Sequence, residues 1–179
     1  METLEEEKPV LERFAELGIE HERYAHPPIA TGDEGLVHWE GIDAVHCKNL
    51  FVRNQKGSRH YLVILPVEKR ADLRLVANQI GDGKLSFASA DRLLRHLGVT
   101  PGSVSPFGLI HDREHHVRVF LDRDLKAASR ISFHPNINTR TVVLSFTDFE
   151  RFLASTAHAP RFIDVGPGGN PAAPAQTRN

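Results

Sequence analysis

A single cysteine, Cys47, stands among the 179 residues, so no internal disulfide can form, a usage ordinary for a cytosolic protein. No apolar run approaches the ~20 residues of a membrane helix; the longest, Tyr61-Leu62-Val63-Ile64-Leu65, is strand-sized. A basic leader is missing too. The N-terminus carries Glu2, Glu5, Glu6 and Glu7, the reverse of a signal or transit peptide. These absences point to the cytoplasm and to no membrane partner. Also lacking are a P-loop, a Gly-rich dinucleotide fingerprint, a G-x-S-x-G elbow and an H-E-x-x-H pair, so no cofactor or metal is expected.

What remains is the composition of one soluble globular domain, 40% apolar and 25% charged. The net charge of −1 hides an uneven distribution. Residues 1–47 carry 3 Lys/Arg against 12 Asp/Glu, residues 48–95 carry 10 against 4, and residues 96–179 carry 9 against 7. A basic middle third can meet a few phosphates, but the whole lacks the positive excess of a protein that coats duplexes. If nucleic acid is a partner, a short end rather than a long tract is expected, and no DNA; on charge alone a solvated mixed surface is the better reading.

Val10, Leu11, Phe14 and Leu17 recur at helical spacing before a Gly18 stop. Ile19–Tyr24 reads as a strand closed by His26-Pro27-Pro28. Residues 29–46 are ambiguous, with one helical turn from Thr31. Lys48–Arg53 and Arg59–Leu65 form a hairpin across Asn54–Gly57. Asp72–Ile80 suits a helix and Leu85–Phe87 a short strand. Ser89 caps a helix that Gly98 ends. After the irregular Thr100–Pro106 loop, Phe107–Ile110 and His116–Asp122 are expected as one strand pair, and Arg130–His134 with Thr141–Ser145 as another. Thr147-x-x-Glu150 reads as a capping box for a helix with Phe149, Phe152 and Leu153 inward. Arg161–Val165 is a last strand. The domain therefore spans 1–165, and 166–179, rich in Gly, Pro and Ala, is expected to be a disordered tail. Strands in hairpins with helices between them, and no regular βαβ rhythm, imply an α+β fold with a mixed or antiparallel sheet.

Three features can carry chemistry. Lys48 heads the apolar strand Lys48-Asn49-Leu50-Phe51-Val52, although a strand-end lysine is more often a solvated gatekeeper. Gly102-Ser103-Val104-Ser105-Pro106 lies between two prolines, a stiff loop whose glycine lets backbone N–H groups approach a developing oxyanion. Phe133-His134-Pro135 ends a strand. His111, His115 and His116 read as solvated turn histidines, since no cysteine or H-E-x-x-H helix completes a zinc shell. Cys47 reads as a partly buried, inert thiol.

In this order and spacing, the stretches His46-Cys47-Lys48-Asn49-Leu50-Phe51, Gly83-Lys84-Leu85-Ser86-Phe87, Gly102–Pro106 and Phe133-His134-Pro135, with His26-Pro27-Pro28, resemble the YbaK/prolyl-tRNA-synthetase-associated editing family. The Phe-His-Pro stretch is most similar to its free-standing alanyl-tRNA(Pro) deacylase branch, the ProXp-ala or PrdX type. The resemblance implies a mixed, partly barrel-like sheet surrounded by helices. It implies hydrolysis of mischarged tRNA(Pro), with the aminoacylated acceptor end as partner and prolyl-tRNA synthetase as a further candidate. Catalysis would rest on Lys48 and Gly102, with Lys48 at the phosphate near the terminal adenosine. Asn49, Ser103, Val104, Ser105, Pro106, His134 and Pro135 would line the aminoacyl site, and Lys84 would touch the acceptor end.

The chemistry is consistent with those residues. An aminoacyl ester is already activated, so its hydrolysis needs placement more than a strong nucleophile. A proline-sized synthetase pocket excludes alanine poorly, because a missing methylene is worth only about 1–3 kcal/mol, and a second, smaller pocket can correct the error. Removal of cysteine or serine instead, or a non-catalytic module that holds an aminoacylated end, are the alternatives.

Overall fold

Glycines and capping residues punctuate the helices where the sequence places them. In the computed structural model, which describes residues 1–29 and 31–167, α1 spans Lys8–Leu17 with Val10 and Phe14 buried. Gly18 ends it at φ 61°, the left-handed region where a Cβ would be strained. The ambiguous stretch contains α2 (Gly32–His38), whose N-cap Thr31 accepts from the Glu34 amide. Asp72 caps α3 (Leu73–Ile80) and Ser89 caps α4 (Ala90–Leu97).

Eight strands build one mixed sheet: β1 (His21–Ala25), β2 (Val45–Asn54), β3 (His60–Pro66), β4 (Leu85–Phe87), β5 (Val117–Asp122), β6 (Arg130–Phe133), β7 (Arg140–Ser145) and β8 (Arg161–Ile163). Their order is β1-β7-β6-β2-β3-β5-β8, with β4 attached to β2. The expected hairpins β2–β3 and β6–β7 are antiparallel, whereas β3–β5, β5–β8 and β2–β6 are parallel. Strand β3 is buried at every position because both its faces are covered. Leu62 and Ile64 enter the larger core with Phe14, Phe107 and Phe152, while Tyr61, Val63 and Leu65 pack toward α3. The two-residue alternation of a strand thus feeds two hydrophobic layers. The α+β expectation, a mixed sheet surrounded by helices, is met.

Two local expectations are corrected. Phe107–Ile110 is not a strand but part of a 3-10 turn, Pro106–His111. Pro106 presets its first position, and the Ser105 side chain accepts from the Phe107 amide. The turn is wedged against α4 so closely that a Cβ on Gly108 would sit 2.6 Å from the Leu97 carbonyl oxygen. Its apolar residues are consecutive because they enter the core from several sides, a pattern that a short run shares with a buried strand. The second correction concerns α5 (Phe146–Ser155), whose N-cap is Ser145 rather than Thr147. The Asp148 amide donates to Ser145 Oγ at 3.0 Å, and that hydroxyl donates to Asp148 Oδ2 at 2.9 Å, so the reciprocal cap lies two residues earlier than Thr147-x-x-Glu150.

Among the described residues no helix is long and apolar enough to cross a membrane. Of the tail expected from residue 166 onward, residues 168–179 lie outside the described residues.

Candidate active site

Strand β2 is longer than its partners on one edge, and that mismatch opens the site. Along the other edge β3 pairs with it from Cys47 to Arg53. On this edge β6 holds only Val45 and His46, and β4 holds only Val52 to Asn54. Residues 47–51 therefore have no strand partner on that edge among the described residues. The loop after α4 comes alongside instead, and Asn49 Nδ2 donates to the Val104 carbonyl at 3.0 Å. A pocket of about 140 Å³ occupies the gap, lined by Ile29, Thr31, Trp39, Cys47, Lys48, Asn49, Gly102, Val104 and His134.

Lys48, Asn49, Gly102, Val104 and His134, all expected from the sequence, thus meet in one place. Lys48 is half-buried, and its Nζ donates to the Val67 carbonyl at 2.9 Å, which aims the ammonium at the pocket wall. Gly102 has φ 87°, a conformation that an L side chain adopts only under strain, so the loop's approach to β2 depends on glycine. Ser103, Ser105, Pro106 and Pro135 are buried and do not line the pocket. Ser105 and Pro106 instead start the 3-10 turn behind the loop and hold it from below. Lys84 is set apart. Its neighbour Leu85 pairs with Asn54, about 20 Å along β2 from Lys48 at roughly 3.3 Å per residue. There Lys84 lines a separate groove with Arg74 and Asp82.

His134 Nδ1 lies 2.8 Å from the Arg140 carbonyl oxygen, so Nδ1 carries the proton and Nε2 is left as an acceptor. Burial pushes its pKa down to about 4, the nearby His26 adding to the effect, and the ring is neutral at physiological pH. His26 and His46, close by, are likewise lowered, chiefly by burial. Burial, reinforced by Glu68 and Asp122, raises the Cys47 thiol well above its ordinary range, so it is no thiolate nucleophile. The site offers one ammonium, neutral imidazole, and loop amides, a set suited to holding an ester rather than attacking it covalently.

The sequence reading missed Ile29, Thr31 and Trp39. They come from the ambiguous 29–46 stretch, where no periodicity announces a wall. The Ile29 amide donates to the Asn138 carbonyl at 3.0 Å, which lays this stretch beside the β6–β7 connection and brings Ile29 to the pocket. Ile29, Trp39 and Val67 then make a small core of their own. The lone tryptophan was the signal that could have been followed, since a large ring in a Gly-rich segment needs a partner surface.

The three turn histidines have different neighbours. His111 packs at Gly98, the His115 ring faces His158, and the His116 ring faces His96. Among the described residues no group of three or more His, Cys, Asp or Glu side chains is arranged to hold a metal ion.

Residues 26–152 match the family model of the aminoacyl-tRNA editing domain. The prolyl-tRNA editing protein ProX of Acetoanaerobium sticklandii is 37% identical over 163 residues, covering 90% of this chain and 99% of that protein. The prolyl-tRNA synthetase associated domain-containing protein 1 of Bos taurus is 32% identical, covering 86% of this chain and 91% of its own length. A solved structure described as that of a proposed trans-editing enzyme for prolyl-tRNA synthetase superposes with a TM-score of 0.70. It is 19% identical and covers 93% of this chain and 100% of its own, a likeness of fold.

Proposed function

The chain belongs to the aminoacyl-tRNA editing domain family, and from that premise we propose that it hydrolyses the ester of mischarged tRNA(Pro), removing alanine. The observation that carries this reading is the convergence of Lys48, Gly102 and His134 on one pocket of about 140 Å³. Ile29, Trp39 and Val104 give the pocket an apolar wall that suits a short side chain on the ester, and rejection of the proline ring by steric clash is the second-sieve logic of this reading. The relative named as a prolyl-tRNA editing protein, matched over nearly its whole length, supports the choice of tRNA.

In this reading the aminoacyl ester enters with its terminal ribose at the gap in the sheet. Lys48 binds the phosphate beside it and orients the ester without moving a proton. Asn49 anchors the Val104 carbonyl, and, since the Ser103 amide already donates to the Thr100 carbonyl at 3.0 Å, the Gly102 and Val104 amides are the ones that would face the ester carbonyl. Each well-placed donor lowers the barrier to the tetrahedral oxyanion by roughly 3 kcal/mol. Water is the nucleophile, and the ribose hydroxyl next to the ester helps to position it. Ser103, Ser105, Pro106 and Pro135 support the wall from behind. Lys84, at the far end of β2, meets the acceptor end at a distance from the reacting ester. Residues 1–165 act as one editing domain in the cytoplasm, downstream of prolyl-tRNA synthetase.

Serine is the second reading for the amino acid removed, because His134 Nε2 is an acceptor placed to receive a hydroxyl. Deacylation of alanyl-, seryl-, cysteinyl- and prolyl-tRNA(Pro) by the purified chain tests the proposal. Alanyl-tRNA is expected to be cleaved and prolyl-tRNA spared; cleavage of none would refute the deacylase reading.

A further inference from the structure

The pocket has one large wall whose place is fixed by residues that nothing above puts in the reaction. Trp39 is 7% exposed and lines the pocket beside His134, at 6.3 Å between ring centroids. Its indole stacks on His46 at 4.8 Å and 11° between planes. Gly35 lies flat against the same indole: a Cβ there would fall 2.2 Å from a ring carbon. The ring is also held by its edge. Trp39 Nε1 donates to Thr141 Oγ1 at 3.0 Å.

Thr141 is 1% exposed and sits on β7, outside the pocket lining. Its hydroxyl is 2.9 Å from His26 Nε2, and His26 Nδ1 is 2.8 Å from the Pro27 carbonyl oxygen. A carbonyl can only accept, so Nδ1 carries the proton and Nε2 must accept from Thr141. The hydrogens then run in one direction, from indole to threonine, threonine to His26, and His26 to Pro27. The Trp39–Thr141 bond at the head of this chain is buried and is made only when the indole holds its present angle, and an unmade buried bond is costly.

We propose that Trp39 is the specificity-determining wall of the aminoacyl pocket and that Thr141 is the positioning residue that sets its angle. This rests on the deacylase reading and adds to it the part that excludes the proline ring. The indole limits the pocket's depth, and Thr141 prevents it from rotating away when a larger side chain presses on it.

Thr141→Val keeps the shape and removes the hydroxyl; Thr141→Ser keeps the hydroxyl. With kcat/KM measured on alanyl- and prolyl-tRNA(Pro), Thr141→Val is expected to narrow the preference for alanine by about tenfold or more, the scale of one methylene in a pocket. The change should come mainly through faster prolyl turnover, and Thr141→Ser should retain the wild-type preference. Trp39→Phe, which shortens the wall and removes its N–H, is expected to narrow it too, and serves if a thermal melt shows Thr141→Val unfolded. An equal loss on both substrates with an unchanged ratio would make the clamp merely structural and overturn the proposal. A measurement on the unaltered protein decides independently of turnover. Trp39 is the only tryptophan, so titration with 3′-alanylamido-3′-deoxyadenosine, which cannot be hydrolysed, should change its emission. Saturable binding with no change in emission would remove Trp39 from the pocket wall. Failure of the wild type to cleave any aminoacyl-tRNA(Pro) counts against the deacylase reading, not against the wall, which the titration still judges.

Discussion

Lys48 shows how much one residue can owe to its position in a strand. At the head of an apolar strand it resembles any solvated lysine, and only the gap at residues 47–51 makes it part of a pocket. Its ammonium is directed by the Val67 carbonyl, itself part of the turn that follows β3. Lys48→Ala is expected to lower kcat/KM on alanyl-tRNA(Pro) by roughly 10- to 100-fold, the loss of a charge-assisted hydrogen bond of about 1.5–3 kcal/mol. Circular dichroism should remain that of the wild type, and unchanged turnover would take Lys48 out of the site. Gly102 and His134, like Lys48, were legible only through their joint order and spacing, which resembles one editing family; singly they read as an ordinary loop glycine and a structural histidine. Trp39 and Ile29 were not, because their partners Thr141 and Asn138 lie more than a hundred positions away and no local pattern links them.

At the level of elements, the 3-10 turn Pro106–His111 matters more than its length suggests. It carries the end of the Gly102–Pro106 loop, and its contact with α4 fixes how far that loop leans toward β2. Gly108→Ala would drive a Cβ to 2.6 Å from the Leu97 carbonyl oxygen, which is backbone and cannot swing aside. Overpacking of this kind costs about 1–3 kcal/mol, and urea unfolding should show a lowered midpoint with an unchanged slope. A midpoint equal to the wild type would mean that α4 and the turn separate easily. The helices were readable from their stops and caps, with Gly18, Ser89 and Gly98 all in the expected roles. The turn was not, since Phe107 and Leu109 are both fully buried and a short apolar run has no period to distinguish strand from turn. The cap of α5 was misplaced because Ser145 and Thr147 both precede an acid by three residues, and only the fold decides between them.

Across the whole molecule, buried neutral histidines tie stability to pH. His60 on β3 and His134 just after β6 are each pushed down to about 4, chiefly by burial. A group whose folded pKa is lower than its unfolded value binds protons more readily when unfolded. Stability should therefore be full above about pH 6.5, fall as pH drops toward 4, and flatten where the folded rings also take up protons. Urea melts at successive pH values would show this slope, and constant stability across the window would mean that both rings are solvated in the folded state. An α+β fold with a mixed or antiparallel sheet was evident from the spacing of apolar runs, and the wrapping helices from the family resemblance, but the parallel pairing of β3 with β5 was not, because register between distant strands leaves no mark in either.

The same whole-molecule view carries the central claim, that the break in the sheet edge forms a small pocket which cleaves a mischarged ester and refuses the correct one. Its most direct test compares kcat/KM of the purified chain on alanyl-tRNA(Pro) and on prolyl-tRNA(Pro). The account predicts rapid release of alanine and at least tenfold slower release of proline, the discrimination expected when a pocket must reject about one or two extra methylenes. Equal or faster hydrolysis of prolyl-tRNA(Pro) would contradict it.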